Sequence, residues 1–361
     1  MRVVICGGGI IGTSIAYNLA LRGIKPIVVD KAGIAHAASG KAGGFLALDW
    51  NDHSPLGNLA RKSFDLHQKL ADALDTDIGY RRLTCEAILL DERPDAKLNH
   101  KKLSGLEWAD TGVRRAHTLG TRDTIAQVHP RLLTEAMWAE ASKLGASLRI
   151  GSVTDLSAST EKSMADGVVL DTGEVIFADI IVVAMGPWSG KLMDSLGLGC
   201  VKVLGQKYHS ILVHKDGSPL SQATFCQGLG DPEFYPRPDG DVYVTGFPDE
   251  PSEMSEEPDN VEVRDEIVKR LAPTAGAIST LLKGSTVTRE QACHLPIADG
   301  DGLPLIGPSP LLQNAYVATG HSCWGILNGP ATGLCVTELI LEGRASSVDI
   351  SPFDPRRYVS S

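Results

Sequence analysis

Val3-Val4-Ile5-Cys6-Gly7-Gly8-Gly9-Ile10-Ile11-Gly12 opens the chain, and its reading decides the fold. Four apolar residues make a short buried strand, and the glycines follow without a spacer. In Gly7-x-Gly9-x-x-Gly12, Gly7 permits the tight turn and Gly9 lets a pyrophosphate approach the backbone. Gly12 lets helix and strand pack closely, with the helix start, at Ile10 and Ile11, facing the anion. The helix carries apolar Ile11, Ile15, Ala16, Leu19 and Ala20 and stops at Arg22-Gly23. Ile27-Val28-Val29-Asp30 then reads as a second strand, buried on both faces and therefore parallel. Asp30 ends it where an acid accepts from adenosine ribose hydroxyls. Lys31 follows as a cofactor candidate on the same edge, but reads first as simply exposed.

A second stretch repeats this grammar far downstream. Val317-Ala318-Thr319-Gly320-His321-Ser322-Cys323-Trp324-Gly325-Ile326 leads through Gly329-Pro330 to Gly333, again as strand, glycine turn and helix. A helix starting near Gly325 aims unpaired N–H groups at an anion. A pyrophosphate needs only the first motif, so the pair predicts a cofactor long enough for a second anchor, and FAD is the obvious candidate. A reduced flavin carries negative charge at N1 and C2=O, which such a helix start stabilises. The plain alternative is a strand–turn–helix with glycines for packing. Between the two, Ala37-Ala38-Ser39-Gly40-Lys41-Ala42-Gly43-Gly44-Phe45 is a long small-residue segment. It reads as backbone N–H groups and a Ser39 hydroxyl laid along a pyrophosphate, and otherwise as a surface loop. NAD shares the N-terminal fingerprint, so an NAD-linked dehydrogenase remains the rival for the cofactor.

Bulk properties exclude other classes. Lys and Arg number 34 against 44 Asp and Glu, a net charge of −10 with no long block of one sign. Nucleic acid or an anionic membrane needs clustered cations, so neither is expected as a partner. Seven scattered cysteines form no CxxC pair and no zinc spacing, which suggests a reducing compartment. No apolar run reaches the roughly 20 residues of a membrane helix. The chain opens directly on a strand, leaving no room for a signal peptide, and cytoplasm is the expected location. No Ser-His-Asp set, metal cluster or Walker loop can be assembled.

Along the chain, Thr134 to Leu144 reads as an amphipathic helix ended by Gly145, and 166–171 with 174–177 as a hairpin around Asp171-Thr172-Gly173. Ile180-Ile181-Val182-Val183-Ala184 is another continuous apolar strand. Between 200 and 250 the pattern changes to alternating strands. Helices are expected near 262–272 and 274–283, after an acidic surface loop over 251–262. The fold class is α/β: a Rossmann-like FAD-binding domain over 1–80, 140–195 and 290–361, interleaved with a mixed-sheet substrate domain over 81–139 and 196–289.

Taken together these residues resemble the FAD-dependent amine and amino-acid oxidoreductases of the D-amino-acid oxidase and glycine/sarcosine oxidase superfamily. The resemblance rests on Val4 to Gly12, Asp30, Ala38 to Gly44, Val183 to Ser189, Tyr235 to Gly246, Asp301 to Gly307, Gly320 to Gly333 and Phe353 to Tyr358. It implies that Val153 meets the adenine through its backbone and that Gly186 and Trp188 line the cofactor. It further implies that Phe45 and Ala47 lie near the isoalloxazine, with Gly325 and Ile326 donating N–H groups to flavin O2. The activity implied is hydride transfer to flavin N5 from a C–H beside an amine nitrogen of a small-molecule substrate. Reoxidation would be by oxygen or another acceptor.

The departures are informative. Amino-acid oxidases of this superfamily carry an arginine for the substrate carboxylate just before a proline, where Cys293-His294-Leu295-Pro296 offers Leu295. Glycine oxidases place a substrate tyrosine about where Glu233 stands. On Glu233-Phe234-Tyr235-Pro236-Arg237, alternation puts Glu233, Tyr235 and Arg237 on one face. Glu233 and Tyr235 are the expected pocket residues, with Trp50 and Trp324 weaker ones and Arg237 more simply in a salt bridge. Losing the guanidinium fork and gaining an acid shifts the expected preference from amino acids toward amines or neutral substrates, unless Glu233 is a rim carboxylate with no ligand. Cys293 stands near the covalent flavin cysteine of sarcosine oxidases but reads first as a small buried hydrophobe. Their oxygen-activating lysine is missing, Val244 standing two residues before Gly246, so a dehydrogenase is open. The rival from another class is a flavin-binding scaffold serving assembly or trafficking with little turnover.

Overall fold

The computed structural model describes residues 1–90, 105–158, 163–217, 219–254, 257–258 and 260–359. Among the described residues the α-helices are α1 (Ile10–Leu21), α2 (Ala38–Lys41), α3 (Gly57–Ala73), α4 (Pro130–Lys143), α5 (Asp265–Ile278) and α6 (Gly325–Glu342). The opening apolar run is a central strand of a six-stranded sheet. Val3–Cys6 lies between Ile27–Asp30 and Ile180–Val183, parallel to both. Ser147–Ile150 extends one side and Ala315–Thr319 the other, still parallel, and Leu305–Pro308 closes the edge antiparallel. Period-2 alternation divides the strand between two cores: Val3 and Ile5 pack toward the helices, Val4 and Cys6 toward the antiparallel strands Val153–Ala158 and Ala165–Leu170.

Helices α1, α3, α4 and α6 share one face of this sheet, and α1 and α6 lie side by side. Glycine is required at that crossing. A Cβ on Gly333 would stand 2.5 Å from the Ser14 backbone, and one on Gly329 would stand 2.6 Å from Ile10. The two glycine motifs of the sequence are thus joined through their own helices.

The second sheet has seven strands in the order Thr286–Ala298, Val203–His214, Asp241–Gly246, Glu233–Pro236, Gln222–Gln227, Thr84–Leu90 and Val113–Gly120. Every pairing is antiparallel except Gln222–Gln227 with Thr84–Leu90, so the sheet is mixed. One face packs on α5 and Trp108; the other presents Tyr235, Tyr243 and Leu212 toward Phe45 and Ala47.

Two expectations about helices are corrected. The segment after 262 is one helix, Asp265–Ile278, running through Pro273. Its buried stripe Val268, Leu271, Ala275 and Ile278 keeps helical spacing across the proline, and the carbonyl left without a donor belongs to exposed Lys269. Burial of that stripe outweighs the roughly 3 kcal/mol cost of an interior proline. Helix α4 begins earlier than expected, at Pro130, because the His129 side chain accepts from Leu132 N and caps it. Of the acidic loop at 251–262, residues 255, 256 and 259 lie outside the described residues. No helix among the described residues is long and apolar enough to cross a membrane.

Candidate active site

The carboxyl ends of the parallel strands open on a single cavity. Gly7 to Ile11 border it after the first strand, Asp30 and Lys31 after the second, Gly151 to Val153 after the strand Ser147–Ile150. Ala184 to Trp188, Ala318, Thr319, His321 to Cys323, Gly325 and Ile326 complete that rim. In an open α/β sheet this is where ligands bind.

Several features fit a dinucleotide with a second anchor. Helix α1 has Gly9 as its N-cap and α6 has Trp324, and neither has a side-chain cap or an acid in its first turn. Neither helix start is satisfied by its own N-cap side chain, and both border the same cavity. A Cβ on Gly186, at φ 54°, would meet nothing within 4 Å, and one on Gly325 would meet only His321 Cβ at 3.7 Å. These two glycines leave open the space a bound group would fill. Ser39 Oγ accepts from Ile10 N at 2.8 Å, which ties the small-residue segment to the start of α1. Asp30 is already engaged: its Oδ2 accepts from Gly8 N at 2.7 Å and its Oδ1 from Ala32 N and Gly33 N at 2.8 Å each. A carboxylate has about four acceptor positions, so one is left for a ribose hydroxyl.

Of the expected cofactor residues, Gly7, Gly9, Ile10, Ile11, Asp30, Lys31, Ser39, Ala42, Val153, Gly186, Trp188, Gly325 and Ile326 line the cavity. Gly12, Gly40, Gly43, Gly44, Phe45, Gly320 and Trp324 do not. The reasons are local. A Cβ on Gly12 would overlap the Gly7 carbonyl, and Gly40 is packed against the Ala35 carbonyl and Arg131. Gly43 is covered by the Tyr235 ring, Gly44 by the Val128 carbonyl and Gly320 by Ala298. Phe45 and Trp324 turn into an aromatic cluster with Trp50, Phe225 and Tyr235. Pattern reading missed Gly8, His36, Gly151, Ser152, Lys191, Glu257 and Pro258, which also line the cavity. Lys191 arrives on the short helical segment Gly186–Leu192 and the others on loops, and only Gly8, inside the fingerprint, carried a signal.

Glu233 and Tyr235 stand beside this cavity rather than on its wall, on the strand Glu233–Pro236. The Tyr235 hydroxyl donates to Glu233 Oε2, so alternation did put them on one face. Burial raises the Glu233 pKa, and that hydrogen bond works against the shift. Burial, and then the Glu233 charge, push Tyr208 up to about 12. Cys323 borders the cavity, and Glu233 itself is half-buried. Phe45, Trp50 and Phe225 cluster with ring centroids 5.0–5.1 Å apart, and Tyr235, the partner of Glu233, stacks on Phe45 at 5.5 Å.

Arg237 is corrected. It makes no ion pair among the described residues; its Nη2 donates to Ala42 O at 3.2 Å and its Nη1 lies 3.3 Å from His129 Nε2. Its Nε is buried without a hydrogen-bond partner. Leu295 and Pro296 do line the cavity. Val244 is buried in the core beneath α5, so its identity says nothing about oxygen. Cys293 is buried with its pKa pushed up to about 11 by desolvation, as a small hydrophobe would be. His321 is buried on the cavity rim, neutral with its pKa lowered to about 3 by burial, its Nε2 3.1 Å from Thr332 Oγ1. No group of three metal-ligating side chains occurs among the described residues.

A family model described as "FAD dependent oxidoreductase" matches residues 2–339. An oxidoreductase of Schizosaccharomyces pombe is 35% identical, over 98% of this chain and 97% of the relative. The glycine oxidase of Geobacillus kaustophilus is 27% identical over 99% of this chain and 97% of its own length. A crystal structure of glycine oxidase from that organism superimposes with a TM-score of 0.83 at 25% identity, covering 99% of this chain and all (100%) of the other.

Proposed function

The chain belongs to the family of FAD-dependent oxidoreductases, and from that premise we propose that it oxidises the C–N bond of a cationic amine rather than an α-amino acid. The observation that carries the choice is the pairing of Glu233 with Tyr235 beside the cavity while Leu295 lines the wall. FAD, when bound, supplies the acceptor for the hydride leaving the carbon next to nitrogen. The protein holds the cofactor at the starts of α1 and α6, along the Ser39 segment and at Asp30. Glu233 Oε1, left open by the Tyr235 hydrogen bond at Oε2, holds the substrate N–H. The carboxylate takes the ammonium proton, so that the nitrogen lone pair can assist departure of the hydride. Phe45, Trp50 and Phe225 keep water out, which strengthens the ion pair. The C–N bond becomes an imine, which water cleaves to a carbonyl compound and an amine.

We assign cofactor binding to 1–80, 140–195 and 290–361, and the substrate roof to 81–139 and 196–289. Oxygen or another acceptor reoxidises the flavin. The cytoplasm is the assigned compartment, supported by seven free cysteines. One observation favours a second reading, a flavin-bearing scaffold with little turnover: Trp50 packs on Phe225 at 5.1 Å and on Trp324 at 6.4 Å, filling space beside the cavity. Anaerobic stopped-flow mixing of the yellow protein with amines, N-methyl amino acids and glycated amino acids separates the two. Bleaching fastest with amines lacking an α-carboxylate is expected; no bleaching by any of them contradicts the proposal.

A further inference from the structure

Helix α6 is interrupted where it matters most. Pro330 lies inside it and has no N–H, so the carbonyl four residues back, Ile326, loses its helical donor. Ile326 and Gly325 form the turn that borders the cofactor cavity. A buried carbonyl without a donor destabilises its turn. The repair comes from α3. His67 Nε2 lies 3.0 Å from Ile326 O and 3.1 Å from Leu327 O, and Ser63 Oγ accepts from Ala331 N at 3.0 Å. Ser63 and His67 are one turn apart on α3 and face α6 together. Both are fully buried.

The partners fix the imidazole's state. Two carbonyl oxygens can only accept, so Nε2 carries the proton and donates to both. Nδ1 is buried with no hydrogen-bond partner, as an unprotonated nitrogen in an apolar wall would be. Burial lowers the ring's pKa to about 4, so it stays neutral at ordinary pH. A neutral donor adds no charge near the cofactor and acts only through the backbone it holds.

We propose that His67 is a positioning residue for the flavin: from α3 it replaces the hydrogen bond that Pro330 removes and so fixes the direction of the Gly325 and Ile326 N–H groups. This rests on the cofactor's pyrimidine edge lying at that turn, as assigned above. A proline in the first two turns then has a use. It frees the Ile326 carbonyl to be held from outside the helix, so the aim of the N-terminal amides is set by a packed neighbour and does not follow the helix axis alone.

The test uses the holoprotein with His67→Leu and His67→Gln. Gln places an N–H donor at similar reach; Leu places none. FAD dissociation constant, flavin midpoint potential and absorption spectrum are measured beside apoprotein melting. His67→Leu is expected to bind FAD about tenfold more weakly, with a more negative potential and a shifted spectrum, since loss of one buried donor is of that order. His67→Gln is expected to restore all three. Wild-type potential and spectrum in His67→Leu, with only melting lowered, would show a merely structural role and overturn the proposal. Should His67→Leu not fold, Ser63→Ala, which unpairs Ala331 N alone, must shift the potential in the same direction or the proposal fails. Gly325→Val separates the premise: its side chain enters the open cavity, and unchanged FAD affinity would refute the cofactor's placement, not merely the role of His67.

Discussion

Replacing Glu233 by Gln removes one charge and little else, because the Tyr235 hydroxyl keeps an oxygen to donate to. A hydrogen bond between a charged pair contributes about 1.5–3 kcal/mol net. Glu233 is half-buried, so the lower part of that range applies, about 1.5–2 kcal/mol, or roughly 10- to 30-fold in affinity. The measurement is the concentration dependence of anaerobic flavin bleaching for a cationic amine and for an uncharged isostere. The variant is expected to lose affinity for the cation and to treat the isostere as wild type does. The pH dependence follows from the direction of the shift. Burial holds the Glu233 carboxyl above its ordinary value of 4.5, so wild-type affinity for the cation falls as pH drops through that raised pKa, and the Gln variant lacks this limb. The same shift means that the ionised carboxylate costs folding stability, a cost absent below the ordinary value and full above the raised one. Apoprotein E233Q therefore melts no lower than wild type at neutral pH. Equal affinity of wild type and E233Q for the cation, with the flavin bound normally in both, would refute the ammonium role.

Three further expectations follow from particular contacts. Leu295→Arg places a guanidinium on the cavity wall and is expected to raise bleaching by α-amino acids while lowering that by amines; unchanged ratios in the stopped-flow panel would refute the assigned position. Gly333→Ala forces a Cβ to within 2.5 Å of Ser14, so α1 and α6 must separate; overpacking of this kind costs about 1–3 kcal/mol and is expected to lower both the melting temperature and FAD affinity. Arg357 and Tyr358 hold Asp301 through two guanidinium hydrogen bonds of 2.7 and 3.1 Å and a hydroxyl at 2.6 Å, and its pKa is lowered to about 2. A lowered folded pKa gives stability that is present above the ordinary carboxylate value and lost as pH falls toward 2; after discounting for solvent exposure it is about 1 kcal/mol. Acid unfolding of D301N should lack that component, and an identical acid limb in both proteins would contradict it.

The nucleotide half was legible because its signals are local. Strand, glycine turn, helix and acid follow one another within residues 3–30, and each residue type has one physical reason to be there. The partnership of Gly7–Gly12 with Gly325–Ile326 was legible only because a second copy of that grammar stands at the other end of the chain. The wall made by Gly151, Glu257 and Pro258 was not legible, since loops meeting through tertiary packing leave no periodicity. Alternation correctly paired Glu233 with Tyr235 and kept Arg237 on their side of the sheet, over the Tyr243 ring, where it fastens to Ala42 and not to an acid. Helix α5 was divided at Pro273 because propensity was weighed without the apolar stripe that overrides it. The His67 repair was invisible: a lone histidine in an amphipathic helix acquires meaning only once Pro330 is seen opposite it.

The account turns on one flavin shared by two helix starts, and a crystal structure of the yellow holoprotein tests that most directly. It should show the pyrophosphate at Gly9 to Ile11 and the pyrimidine edge of the isoalloxazine against the Gly325 and Ile326 amides. Density placing the ring system away from the turn at 320–326, with the N-terminal motif still holding phosphate, would contradict it.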